Sequence, residues 1–206
     1  AIAPNGEVVV AGNTYSPDFP VTPGSFGESW NGGWDAFVMR ISADGSRLVY
    51  SAFLGGSGSE NISALAHTDQ ESVYVGGETS SSDFPITSGS FDGSLAGGYD
   101  GFVALLHEDG DLIYRSTYLG GNLGERLTDL VLDDMGRPLV CGSTASSGFP
   151  TVSSSYDGSF GGGASDAFLS RFSADLASLE FSTFLGSTGA ERAECLAVNS
   201  QGEVTL

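Results

Sequence analysis

Short apolar runs broken by polar turns recur along this chain in the same order three times. The middle copy is the most complete. Residues 62–67 (ISALAH), 72–76 (SVYVG), 100–106 (DGFVALL) and 112–119 (LIYRSTYL) each have the length and β-branched or aromatic content of a strand. Tight turns are expected at 68–71 and 108–110, a long loop at 77–98, and Gly120-Gly121 leads into the next copy. No helical period separates the runs, so four strands a to d predict an antiparallel meander rather than a parallel βαβ unit. The first copy opens inside its unit, with a turn at Pro4-Asn5-Gly6 and strand b at Val8, Val9 and Val10. The third carries one extra residue between Ser159 and Asp166 relative to Ser94 and Asp100, where a loop absorbs it at little entropic cost.

Strand c indicates how the units pack. Phe37, Met39 and Ile41 point one way and Ala36, Val38 and Arg40 the other, with Phe102, Ala104, Leu106 and Gly101, Val103, Leu105 as counterparts. Both faces are largely apolar, which predicts sheets covered on both sides by other sheets. Phe19-Pro20, Phe84-Pro85 and Phe149-Pro150 return at a spacing of 65 residues, the mark of a repeat architecture. The expected fold is all-β. Four-stranded meanders stacked radially make the blades of a β-propeller, with three blades in this chain; a β-helix, with coils of roughly 20 to 30 residues, is the alternative. The expected divisions are 1–61 (strands b to d), 62–126, 127–192 and the start of a further repeat at 193–206. Three blades do not close a ring of four to eight, so the chain reads as a window on a longer array or as one member of an association.

Composition narrows the partners. The 26 acidic and 7 basic residues leave a formal charge of −19, which disfavours nucleic acid and anionic lipid surfaces and suits a solvated acidic exterior or calcium. No run of about 18 apolar residues could insert into a membrane, and any signal peptide or anchor would lie outside this sequence. Cys141 and Cys195 fall in apolar runs at unmatched positions and read as two buried thiols, not a disulfide.

The string GxTxSxxFP, then Asp-Ala/Gly-Phe opening strand c, then Phe/Tyr-Leu-Gly-Gly closing strand d, resembles the bacterial β-propeller repeat called the SBBP, or seven-bladed propeller, repeat. It occurs as Thr14 to Phe19-Pro20, Asp35-Ala36-Phe37 and Phe53-Leu54-Gly55-Gly56; as Thr79 to Phe84-Pro85, Asp100-Gly101-Phe102 and Tyr118-Leu119-Gly120-Gly121; and as Thr144 to Phe149-Pro150, Asp166-Ala167-Phe168 and Phe184-Leu185-Gly186-Ser187. Gly148 in place of Asp18 and Asp83, and Ser187 in place of a glycine, are the departures. The resemblance implies a secreted or cell-surface bacterial or archaeal protein and no single activity.

Candidate residues divide into those that repeat and those that do not. Strand order sends the long loops, Asp35/Asp100/Asp166 and Glu60/Glu125/Glu191 to one rim. The aspartates are expected to hold turns by accepting backbone N–H bonds, and the glutamates to pair with arginines such as Arg126 and Arg192. Each Phe-Pro pair is expected to pin its loop, since Pro fixes φ and biases the preceding Phe to extended geometry. Trp30 and Trp34 in the first loop, with Tyr99 in the second, break the repeat and are the candidates for stacking on a sugar or anchoring a protein. Arg115 stands in the slot of Tyr50 and Phe181 unless a one-residue slip puts Tyr114 there. No GxSxG elbow, Cys-His signature, HExxH or phosphate loop occurs, and His67 and His107 lack a nearby third zinc ligand. The reading is therefore a non-catalytic extracellular scaffold or adhesion module without a cofactor, whose partners are other blades and a surface protein or glycan. A carbohydrate-active enzyme using the axial acids and a calcium-stabilised assembly subunit are the alternatives.

Overall fold

The structure, a computed structural model, describes residues 1–199 and 201–206. It is all-β. Three antiparallel sheets follow one another: β1 (Val8–Thr14), β2 (Asp35–Ile41) and β3 (Leu48–Leu54); then β4 (Glu60–His67), β5 (Val73–Thr79), β6 (Asp100–Leu106) and β7 (Ile113–Leu119); then β8 (Glu125–Leu132), β9 (Pro138–Thr144), β10 (Asp166–Phe172) and β11 (Leu179–Leu185). A short pair, β12 (Ala197–Val198) and β13 (Val204–Thr205), ends the chain. Strands are hydrogen-bonded in sequence order and no sheet closes on itself. Ile2 bridges Val8 just as His67 pairs with Val73, so residues 1–2 occupy the end of a strand a for the first sheet. No helix among the described residues is long and apolar enough to cross a membrane.

Strand c of the second sheet starts and stops where the pattern predicts, at Asp100 and Leu106. Strand b extends to Thr79, further than expected, because Thr79 pairs with Glu60 on one side and Asp100 on the other. Strand a starts at the glutamates, Glu60 and Glu125, two residues before the boundaries at 62 and 127.

Alternation sends each strand's side chains to two different cores. Val73, Val75, Phe102, Ala104 and Leu106 pack with Val9, Val38, Tyr50 and Leu54 of the first sheet. Tyr74, Val103 and Leu119 pack with Leu127, Val140, Phe168, Phe172 and Leu176 of the third. The middle sheet is thus covered on both faces, as two apolar faces require. Polar clamps also join the first strand of one copy to the next copy. A bulge in β4 and another in β8 free Ser63 and Thr128 from the ladder, and their hydroxyls donate to Leu127 O and Ala193 O of the following copy, both at 2.7 Å.

The long loops depart from expectation. They leave from one rim, but instead of gathering there they run down the outer edge of strand d. Thr22 N donates to Ser51 O and Phe53 N to Gly27 O; the next copy has Thr87 N to Ser116 O and Tyr118 N to Asp92 O. Phe26 N and Phe91 N then reach Gly110 O and Leu176 O in the turns of the neighbouring sheet, on the opposite rim. An uncovered last strand would expose a row of backbone donors and acceptors, and the loop covers it. The Phe-Pro rings fasten the loop's start: Phe19, Phe84 and Phe149 lie 4.3, 4.5 and 4.6 Å, centroid to centroid, from the first phenylalanine of strand c, Phe37, Phe102 and Phe168.

Phe84→Ala should therefore lower unfolding free energy by about 3 to 5 kcal/mol, the range for a buried Phe truncation, and raise amide exchange at Thr87 and Tyr118 first. Denaturant titration with hydrogen exchange checks both, and unchanged exchange there would show that the ring does not hold the loop.

Candidate functional site

In the second and third copies the threonine of the GxTxS string and the glutamate that opens strand a make one polar latch. Glu60 Oε1 accepts from Thr79 Oγ1 (2.6 Å) and Ser81 Oγ (2.5 Å), while Oε2 accepts from Gly56 N (3.2 Å). Glu125 repeats this with Thr144 Oγ1 (2.7 Å) and Gly121 N (2.9 Å), and Glu191 accepts from Ser187 N (2.9 Å). The expected arginine partners are not used. Arg192 bonds Glu194, and Arg126 is exposed with no ion pair among the described residues. The reason is burial: Glu60 and Glu125 are 1% and 2% exposed, and hydroxyls and backbone N–H groups already enclosed there satisfy the carboxylates without desolvating a second charge.

Beside each latch stands the aspartate of the preceding strand c. Asp35 accepts from Asn31 N (2.9 Å), Asp100 from Ala96 N and Gly97 N (2.8 and 3.0 Å), and Asp166 from Gly161 N (2.6 Å). The glycine pair after strand d lets two carboxylates meet there: a Cβ on Gly120 would stand 2.5 Å from Asp100 Cγ and 2.7 Å from Glu125 Oε2. Burial pushes the Asp35 and Asp100 carboxyls above their ordinary values; it raises Glu60 too, with the Asp35 charge adding to the effect.

On the solvent side of the Glu60 latch lies an open cleft of about 410 Å³, lined by Asn13, Trp34, Ser59, Glu60, Asn61, Glu78 and Tyr99. Trp34 and Tyr99 directly precede β2 and β6, and each carbonyl receives the first N–H of the next strand a, Glu60 N at 2.6 Å and Glu125 N at 2.9 Å. Both aromatic side chains line the cleft with Glu60 at the start of β4, and they are 53% and 47% exposed. Their counterpart in the third copy is Ser165. The floor is polar: Asn13 Nδ2 donates to Asn61 Oδ1 (2.5 Å), Asn13 Oδ1 accepts from Ile62 N (2.8 Å), and Asn61 Nδ2 donates to Glu78 Oε1 (3.1 Å). Trp30 lies outside the cleft lining, its indole N–H given to Gly33 O (3.2 Å). Tyr15 links it to the site, with ring centroids 6.0 Å from Trp30 and 5.7 Å from Trp34.

Tyr15, Asn13, Asn61 and Glu78 were not among the residues singled out from sequence. Asn61 could have been, because it departs from Arg126 and Arg192 at the same repeat position. Chemically the cleft brings two exposed aromatic rings together with the side-chain amides of Asn13 and Asn61.

Among the described residues no group of three or more His, Cys, Asp or Glu side chains is placed to hold a metal ion. Both cysteines are free. Cys141 is buried, which pushes its thiol up to about 11, whereas Cys195 is exposed, against the expectation of two buried thiols, because the segment before β12 is not paired into a sheet. Comparison with protein-family models finds none that matches this chain, and comparison with curated proteins finds no match either.

The raised carboxyls fix a sign for pH. A group whose folded pKa lies above its unfolded value adds stability below the unfolded value, 3.8 for Asp35 and 4.5 for Glu60, and loses it as pH rises through the folded value. Acidifying from neutrality toward these ordinary values should therefore stabilise the protein through this pair. Glu60→Gln keeps the acceptor oxygen but removes a titrating group, so its gain over that window should be smaller in denaturant titrations. Equal pH slopes for the two proteins would count against the pair.

Proposed function

We propose that the three sheets are consecutive blades of a β-propeller and that the chain is a non-catalytic, extracellular or cell-surface module that binds a glycan at the Trp34–Tyr99 cleft. The blade reading is supported by the repeat and by how the sheets approach one another. Close approaches run through β1, β2, β4, β5, β6 and β8, while among the described residues β3, β7 and β11 come comparably close to no other sheet, as strands fanning out from a common axis would. Further blades of the same or neighbouring chains would complete the ring.

The observation that carries the binding reading is the pair of half-exposed aromatic side chains lining one cleft with Asn13, Asn61 and Glu78. Neighbouring blades supply equivalent positions, so two sheets place the rings where a single loop could not. A high negative charge favours a neutral or cationic saccharide over a sulfated or uronate-rich one.

One observation favours hydrolysis instead: Glu60 lines the cleft and its carboxyl is held above the ordinary range, as in a general acid. Both of its oxygens, however, already accept bonds from Gly56, Thr79 and Ser81, which supports the structural role.

A glycan array probed with the whole chain, followed by calorimetry, should identify a neutral or amino-sugar ligand. Trp34→Ala or Tyr99→Ala should weaken it about tenfold, the loss of one stacking contact, while Tyr156→Ala, an exposed ring in the third loop, should leave it unchanged. A blank array would remove the glycan reading. Release of reducing ends that Glu60→Gln abolishes would replace it with the enzymatic one.

A further inference from the structure

On the opposite rim the two junctions between sheets are built differently. At the first, Arg40 of β2 is 2% exposed, its Nε 2.6 Å from Glu7 Oε2 and its Nη2 2.7 Å from Glu71 Oε2. Its Nη1 donates to the carbonyls of Glu71 (3.3 Å) and Glu108 (3.0 Å) in the turns of the second sheet. Tyr50 lies beside it, 2% exposed, its ring against Gly110 so closely that a Cβ there would collide. A buried guanidinium enclosed by two carboxylates, two carbonyls and an aromatic ring closes this junction.

At the second junction every one of those positions changes. Register places Leu105 where Arg40 stands and Arg115 where Tyr50 stands, with Tyr114 taken up in the bulge. Ser72 replaces Glu7, Gly136 replaces Glu71, and Leu176 replaces Gly110. Leu176 is fully buried in the core below, at a φ of 55° that the glycine of the other copies adopts more readily. Tyr74 Oη donates to Ala174 O (2.6 Å), the counterpart of the Glu108 carbonyl held by Arg40. Among the described residues Tyr74 Oη bonds that carbonyl, and no buried guanidinium bridges the two sheets as Arg40 does at the first junction.

What remains is an open cleft of about 690 Å³, whose lining includes Leu105, Tyr114, Met135, Asp69, Glu108 and Asp134. Tyr114 and Met135 are 38% and 69% exposed. Asp69 and Asp134 have no basic partner among the described residues. Arg115, which also lines the cleft, gives Nη1 to Tyr114 O (2.7 Å) and contributes, after Ser173 and Ala177, to holding Asp175 below its ordinary value.

We infer that this cleft is a docking site for an arginine side chain presented by a basic segment of a protein partner. The guanidinium would reach the carboxylates of Asp69, Glu108 or Asp134, and its planar face and aliphatic stem would lie against Tyr114 and Met135. The charge of −19 would draw a cationic segment toward it. This inference is independent of the glycan reading, since the two clefts lie on opposite rims.

The chain has two methionines, Met39 in β2 and Met135 in the cleft, so methyl labelling gives one reporter and one internal control. An acetylated, amidated Gly-Gly-Arg-Gly-Gly peptide titrated into the whole protein should shift the Met135 methyl and leave Met39 in place. The peptide carrying neutral citrulline should bind much more weakly. Asp134→Asn should weaken binding about threefold to tenfold, whereas Asp18→Asn, which removes the same charge from an exposed site elsewhere, should not. Leu105→Arg should abolish binding by filling the cleft from within. Equal shifts at both methyls, equal binding of citrulline, equal loss in the two aspartate variants or no shift at all would each overturn the inference; if Leu105→Arg does not fold, the aspartate pair decides it.

Discussion

A sheet with apolar side chains on both faces cannot stand alone in water, and that constraint shapes this protein. Val73 and Val75 look toward the first sheet while Tyr74 between them looks toward the third, so β5 is stable only when both neighbours are present. Burial of such alternating residues gives no direction along the strands. The direction comes from polar contacts of the first strand, where Ser63 and Thr128 leave the ladder at bulges to bond the next copy. The outer end has the opposite problem, an unpaired edge, and the long loop solves it by hydrogen bonding along strand d.

The enclosed carboxylates carry the same logic into electrostatics. Burial raises the Asp35 and Glu60 carboxyls above their ordinary values, and the Asp35 charge adds to the effect at Glu60. Hydroxyl and amide donors offset this without arginine, and in doing so they tie three separate segments together: the end of strand b, the crossover after strand d and the start of strand a. The Thr, Ser and Gly-Gly of the repeated string are the donors and the clearance that this arrangement needs. Arg40 is the exception, a buried charge at one junction whose counterparts elsewhere are Leu105 and Arg171.

Repetition and departure from it have separate consequences. What recurs in each copy joins sheets. What differs leaves surface: Trp34 and Tyr99 against Ser165 on one rim, Leu105, Gly136 and Arg115 against Arg40, Glu71 and Tyr50 on the other. Two junctions of the same backbone plan thereby present one closed and one open face at the turns. Leu176, holding a left-handed turn without glycine, shows how the backbone stays constant while the side chains filling it change.

Strand number, strand order and the double-faced packing were legible in the alternation and in the period of 65, because both depend on local side-chain direction. Trp34 and Tyr99 were legible as exceptions to that period. The fate of Glu60 and Glu125 was not, since Arg126 adjoins Glu125 in sequence, whereas the hydroxyls that bind the glutamates come from the far end of strand b. Nor was the path of the long loops, which depends on the exposed edge of a strand tens of residues away, or the burial of Arg40, whose partners Glu7, Glu71 and Glu108 meet only when two sheets stack. Periodicity reports which face a residue takes; which distant polar groups converge on that face is decided only by the register between sheets.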